Sequence, residues 1–121
     1  MVIKIIQAAI MAYNHVKYHC DSIDQPSEPV KEYWHHALQE QQDMMIKTVI
    51  FIFKNPNATL SEIHNNWMDN KKADGWIFGT WYDWERQITP KLIPYHQLTR
   101  RHQQTVRIIK DCVEEIRGIS I

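Results

Sequence analysis

Apolar side chains recur every three or four positions through the first part of the chain. Ile3, Ile6, Ile10, Tyr13, Val16 and Cys20 make one such stripe, which predicts an opening helix over residues 2–20. Asp21 to Glu28 reads as a loop because Pro26 and Pro29 limit any helix there, and Pro29 suits the first turn of the next helix. That second helix is expected to run to Lys54 and to bury Val30, Trp34, Leu38, Met45, Val49, Ile52 and Phe53. Taken alone, VIFIF could be a strand. No turn signal separates it from QEQQDMMIK, so it reads as the end of a long buried helix, stopped by Asn55-Pro56-Asn57.

Thr59-Leu60-Ser61-Glu62 is a capping-box pattern, in which the Thr59 hydroxyl accepts from the Glu62 amide while the Glu62 carboxylate reaches back. It predicts a third helix to about Asp74, with Leu60, Ile63 and Trp67 inward and Gly75 as a left-handed terminus. Residues 76–98 have no helical period and are expected to be irregular, with short extended pieces at Trp76–Phe78 and Lys91–Tyr95. Thr99 caps a last helix whose core side is Val106, Ile109, Val113 and Ile116, ending at Gly118. The expected fold is mainly α: about four helices with an irregular aromatic loop. The length of 121 residues suits one domain, with a core that needs no metal or disulfide.

Charge adds a local feature. Lys plus Arg and Asp plus Glu both number 14, which argues against a general attraction to nucleic acid or membrane. Residues 1–70 carry five lysines against eight carboxylates, whereas residues 71–101 carry six bases against three carboxylates. Four of the five tryptophans, Trp67, Trp76, Trp81 and Trp84, lie in or beside that basic stretch. Aromatic faces next to fixed positive charge suit a flat anionic ligand, and equally suit the core of a small protein.

Each residue of this stretch therefore has two readings. Trp67 is expected in the core, Trp76 could be core or ligand platform, and Trp81 and Tyr82 are expected exposed or facing a ligand. Lys71, Lys72, Arg86 and Lys91 could meet phosphate, Arg86 in bidentate fashion, or form a solvated face beside a helix end. Asp83 could accept from a ribose hydroxyl or lock its loop through Arg86. His64 could touch a ligand or pack the helix, and Tyr95 could close a pocket or fill the core.

Other chemistry finds less support. His15 and His19 are spaced as a zinc pair, but Cys20 points about 100° away on an ideal helix and no fourth ligand is evident, so no metal is expected. Cys20 and Cys112 form no CxxC and read as small hydrophobes, consistent with a reduced, cytoplasmic setting. Lys4 and Gln7 interrupt the opening apolar run, so it is not expected to act as a secretion signal, and KTVIFIF is too short to cross a bilayer. No Gly-x-Ser-x-Gly, P-loop or HExxH signature is present, so no enzyme activity is expected. A basic recognition helix is missing as well, which argues against sequence-specific DNA binding.

The spaced residues His64, Trp67, Lys71 or Lys72, Gly75-Trp76, Gly79, Asp83, Pro90, Leu92, Pro94-Tyr95 and Leu98 form a pattern that resembles the ryanodine receptor repeat (RyR) domain. The motif core covers about residues 55–105. Two helices before it and the turn Asn55-Pro56-Asn57-Ala58-Thr59 resemble the stand-alone version found in bacteria and phages, over residues 5–117. Trp81 and Tyr82 before Asp83, Thr89 before Pro90, and Thr99 after Leu98 depart from the usual pattern. The resemblance implies a non-enzymatic module without a cofactor that senses or sequesters a nucleotide-derived ligand. In the large calcium-release channels, paired repeats are associated with an adenine-nucleotide site that uses tryptophan stacking. The ligand-binding residues expected here are Trp76, Trp81, Tyr82, Asp83, Arg86, Lys72, Tyr95 and His64. The alternative is a partner or self-association surface built on the aromatic loop.

Overall fold

The computed structural model describes residues 2–22 and 33–118. Four helices, α1 (Val2–Ser22), α2 (Gln39–Lys54), α3 (Leu60–Ala73) and α4 (Arg100–Arg117), share one hydrophobic core, with two short strands, β1 (Ile77–Phe78) and β2 (Ile88–Thr89), between α3 and α4. Among the described residues no helix is long and apolar enough to cross a membrane.

Helix α1 has the expected extent and buries Tyr13 and Val16 of the expected stripe, but its first two turns place alanines, not isoleucines, in the core. Ala8, Ala9, Ala12, Tyr13 and Val16 are buried, while Ile3 is 68% exposed and Ile6 is also exposed. Small side chains allow close helix packing, and α1 and α4 form the most extensive helix pair in the fold. Hydrophobicity alone favoured the isoleucines; packing distance favours the smaller side chains.

The proposed helix start at Pro29 and the residues Pro26 and Val30 lie outside the described residues. Within them, α2 begins at Gln39, later than expected. Ala37 and Leu38 are extended, and Trp34–His36 form only a 3-10 turn. Side chains replace the helical ladder there: the Trp34 amide donates to Asn14 Oδ1 at 3.0 Å, and Gln42 Nε2 donates to the Trp34 carbonyl at 2.7 Å. Trp34 is buried edge-on against Tyr13, whereas Leu38, expected in the core, is exposed. The VIFIF segment is helical to Lys54, as its continuity predicts.

Helix α3 shows both halves of the capping box: the Glu62 amide donates to Thr59 Oγ1 at 3.1 Å, and the Thr59 amide donates to Glu62 Oε1 at 2.9 Å. Those hydrogen bonds hold the Glu62 carboxyl below its ordinary pKa. At the other end Gly75 has φ +96°, with its amide bound to the Lys72 carbonyl and the Trp76 amide bound to that of Lys71. This is a Schellman closure. It sends the chain back across the end of α3 and sets Trp76 beneath it.

The strands pair in parallel, Ile77 with Ile88 and Phe78 with Thr89. A Cβ at Gly79 would overlap the Ile88 side chain, so the close approach requires glycine there. The second extended piece thus lies at Ile88–Thr89, not at Lys91–Tyr95, where a 3-10 turn occupies Tyr95–Gln97. Thr89, fully buried, accepts from the Lys91 amide and stiffens that passage. Helix α4 buries Val106, Ile109, Cys112, Val113 and Ile116.

Candidate functional site

The four helices leave a cleft of about 120 Å³ between them. On α3, Ile63, His64, Trp67 and Lys71 line it, because positions three and four apart stack on one helix face. Helix α4 contributes His102, Thr105, Val106 and Ile109 on the same principle. Tyr13 and Val16 come from α1, Met44, Met45 and Thr48 from α2, and Lys91 and Leu98 from the passage before α4. Tyr13, Val16, Ile63 and Leu98 are buried and form an apolar floor, while Trp67, Lys71, Lys91 and His102 are half-buried and reach toward solvent.

His64 and Thr48 are the buried polar residues of this cleft, and the Thr48 hydroxyl donates to the Met44 carbonyl at 2.9 Å. A carbonyl can only accept, so His64 Nε2–H donates to the Ile93 carbonyl, at 2.8 Å. Burial pushes the pKa of the imidazole down, and the hydrogen bonds to the Ile93 and Lys91 backbone oppose this only in part. The neutral ring stacks on Trp67 with centroids 5.4 Å apart and planes 17° apart, and the Tyr95 ring lies tilted by 59° at 6.4 Å. The Lys71 ammonium lies 5.6 Å from the Trp67 ring centroid and 4.3 Å from that of Trp76. Lysine and histidine bases line the cleft, and no Asp or Glu among the described residues does so. Chemically it can take a flat apolar body and hold a negative group near its opening.

The residues put forward from the sequence fall into three places. His64 lines the cleft, and Tyr95 is half-buried beside the His64 ring, outside the lining. Trp76, only 4% exposed, packs with Tyr82 and Trp84, each 5.7 Å away between ring centroids. Asp83 holds the turn of this loop: its Oδ1 accepts from the Arg86 amide at 3.0 Å, and its backbone exchanges two hydrogen bonds with Ile88. On the surface are Lys72, Trp81, which is 57% exposed, and Arg86, whose guanidinium stands 3.7 Å from Asp83 Oδ2.

Trp67, expected in a closed core, is half-buried on the wall of the cleft. Met44, Thr48, His102 and Thr105 drew no attention in the sequence, since they lie far from the aromatic stretch. A signal does exist for His102: it sits in register with Val106, Ile109 and Val113, a base on an otherwise apolar helical face. Among the described residues, no three His, Cys, Asp or Glu side chains are grouped to hold a metal ion.

The RyR domain family model matches residues 53–119. Neither a curated protein nor a solved structure matches the chain.

Proposed function

The chain belongs to the RyR domain family, and on that premise we propose that it is a non-enzymatic module binding a nucleotide-derived small molecule, with the base in the helical cleft and the phosphate among its bases. The observation that carries this reading is the cleft itself: concave, apolar at its floor, with an aromatic wall at Trp67 and basic groups toward solvent. Its volume of about 120 Å³ is below the about 150 Å³ of a cavity that takes up benzene, so the cleft would receive an edge of the base and leave the rest at its opening. The sugar and phosphate of a nucleotide would then lie at the opening, near Lys71 and Lys91. Base–aromatic stacking of about 1–3 kcal/mol would supply much of the affinity.

A binding rather than catalytic role is supported by the use of His64, which is neutral and bound to a backbone carbonyl. The bacterial or phage stand-alone type is supported by α1 and α2, most of which precedes the matched residues yet shares their core. A cytoplasmic setting accords with Cys112 as a free, buried thiol. Calorimetry of the folded protein with AMP, ADP, ATP and cyclic ADP-ribose tests the reading. Binding of at least one, weakened by Trp67→Ala, is expected; no heat of binding at millimolar ligand would refute it.

A second reading has an observation of its own. Ile77, Phe78 and Trp81 are 58%, 53% and 57% exposed within one short loop, a surface suited to a protein partner or a second copy of this chain. Sedimentation velocity should then reveal a concentration-dependent dimer that Trp81→Ser abolishes. A monomer across the accessible range would remove the self-association form of this reading.

A further inference from the structure

The isoleucines that α1 leaves out of the core form a pattern of their own. Ile3, Ile6 and Ile10 recur at three and four positions and make one ridge on the flank of α1, exposed at Ile3 and Ile6 and half-buried at Ile10. Ile46, Ile50 and Phe53 make a similar half-buried ridge on α2. Asn14 continues the first ridge and Gln42 the second, each four positions on, and Trp34 bonds to both. Arg117 closes the other end. Its carbonyl accepts from Lys4 of α1 at 3.4 Å, and its guanidinium donates to the Ile52 carbonyl at 2.9 Å and lies over the Phe53 ring. Tyr13 also donates to Gln41 at 3.0 Å, so the helices run antiparallel with Ile6 about level with Val49. The two ridges therefore bound one apolar groove on the outer side of the α1–α2 pair.

We infer that this groove is an interface with the same groove on a second copy of the chain, in a two-fold dimer. An apolar surface of this kind marks an interaction site, and charge selects the partner. Along the rim of α2 the acid comes first and the base last: Asp43 precedes Ile46, Lys54 follows Phe53, and both are exposed. Gln39 donates to Asp43 Oδ1 at 2.8 Å and holds the carboxylate at the rim. An antiparallel copy of α2 meets that order with opposite charge at each end. One axis serves both helices. Crossing α1 between Ile6 and Gln7, it sets Ile3 against the partner's Ile10. At the level found above, it crosses α2 between Thr48 and Val49 and sets Asp43 against the partner's Lys54. Lys47 falls beside the partner's Ile50, where its aliphatic stem covers apolar surface. A surface that is its own complement is what such a dimer requires. The cleft lies on another side of α2, lined by Met44, Met45 and Thr48, so pairing leaves it open and the inference does not rest on its ligand. Nor does it use the loop that carries Trp81.

Sedimentation velocity of the full chain, from micromolar to millimolar concentration, tests the dimer. Its share should rise with concentration. Ile6→Glu should weaken it about a hundredfold or more, since two buried isoleucines are lost and two carboxylates meet at the axis. Asp43→Lys alone, and Lys54→Asp alone, should each weaken it about tenfold by opposing like charges at both ends. The double variant should recover the original affinity, a recovery that a role within one chain gives no reason to expect. Trp81→Ser should leave the dimer unchanged. If Ile6→Glu fails to fold, a mixture of methyl-labelled and unlabelled chains gives the same answer through nuclear Overhauser effects from Ile3 to the partner's Ile10.

A monomer throughout that range would overturn the inference. So would a dimer indifferent to Ile6→Glu, or a double variant that dimerises no better than Asp43→Lys and Lys54→Asp alone. A dimer that Trp81→Ser abolishes would assign self-association to the aromatic loop and remove it from this groove. A monomer in which Ile3 shows Overhauser contacts to another segment of its own chain would give the groove an internal occupant instead.

Discussion

His64 shows how one buried side chain links stability, pH and the cleft. Its pKa lies below the ordinary value of 6.5 because burial penalises the charged ring. The unfolded chain therefore binds the proton more readily than the folded one, and stability falls as pH drops. The contribution of the neutral, hydrogen-bonded ring is complete above about pH 6.5 and is lost as pH falls through the lower folded value. Urea denaturation at pH 7.5 and pH 5 should show this loss, and His64→Gln should flatten the difference. An unchanged slope in the variant would mean that another group governs it. Cys112 makes a parallel case: burial, aided by Glu115 and Asp111, pushes its thiol up to about 11. It should resist iodoacetamide in the native protein and react on unfolding, as peptide mass spectrometry would reveal.

At the scale of elements, local rules and packing divide the work. The capping box and the Gly75 terminus of α3 were legible because their signals are local: residue type at fixed spacing meets a defined backbone need. Removing the Thr59 hydroxyl by Thr59→Ala should cost about 1 kcal/mol in chemical denaturation, since the Glu62 amide loses its acceptor. Gly79→Ala should cost more than Thr59→Ala, because the new methyl group meets the Ile88 side chain across the β1–β2 pair. The inward face of α1 was legible at Tyr13 and Val16 but not nearer its start. Ile3 and Ile6 scored as core by hydrophobicity, but Ala8, Ala9 and Ala12 are the buried positions, and that choice is made only once the helices packed on α1 are in place. The start of α2 was missed for a related reason. Trp34 is held by Asn14 and Gln42, a tertiary arrangement that no helical period encodes.

For the whole molecule, the aromatic density between His64 and Tyr95 divides among three uses. Trp76 helps build the loop, Trp81 remains on the surface, and Trp67 reaches the cleft. Family membership explains the spacing of these residues. The cleft could not be read linearly, because its walls come from four helices and the passage after β2. Its floor emerges only when α1 and α2 close against the matched region. A ligand ring entering this cleft would lie against Met44, Met45 and Trp67. Intermolecular nuclear Overhauser effects between AMP and methyl-labelled protein test that placement directly. Contacts are expected from adenine H2 or H8 to the Met44 or Met45 methyl group and the Trp67 ring. Contacts confined to Trp81 and Tyr82 would contradict it.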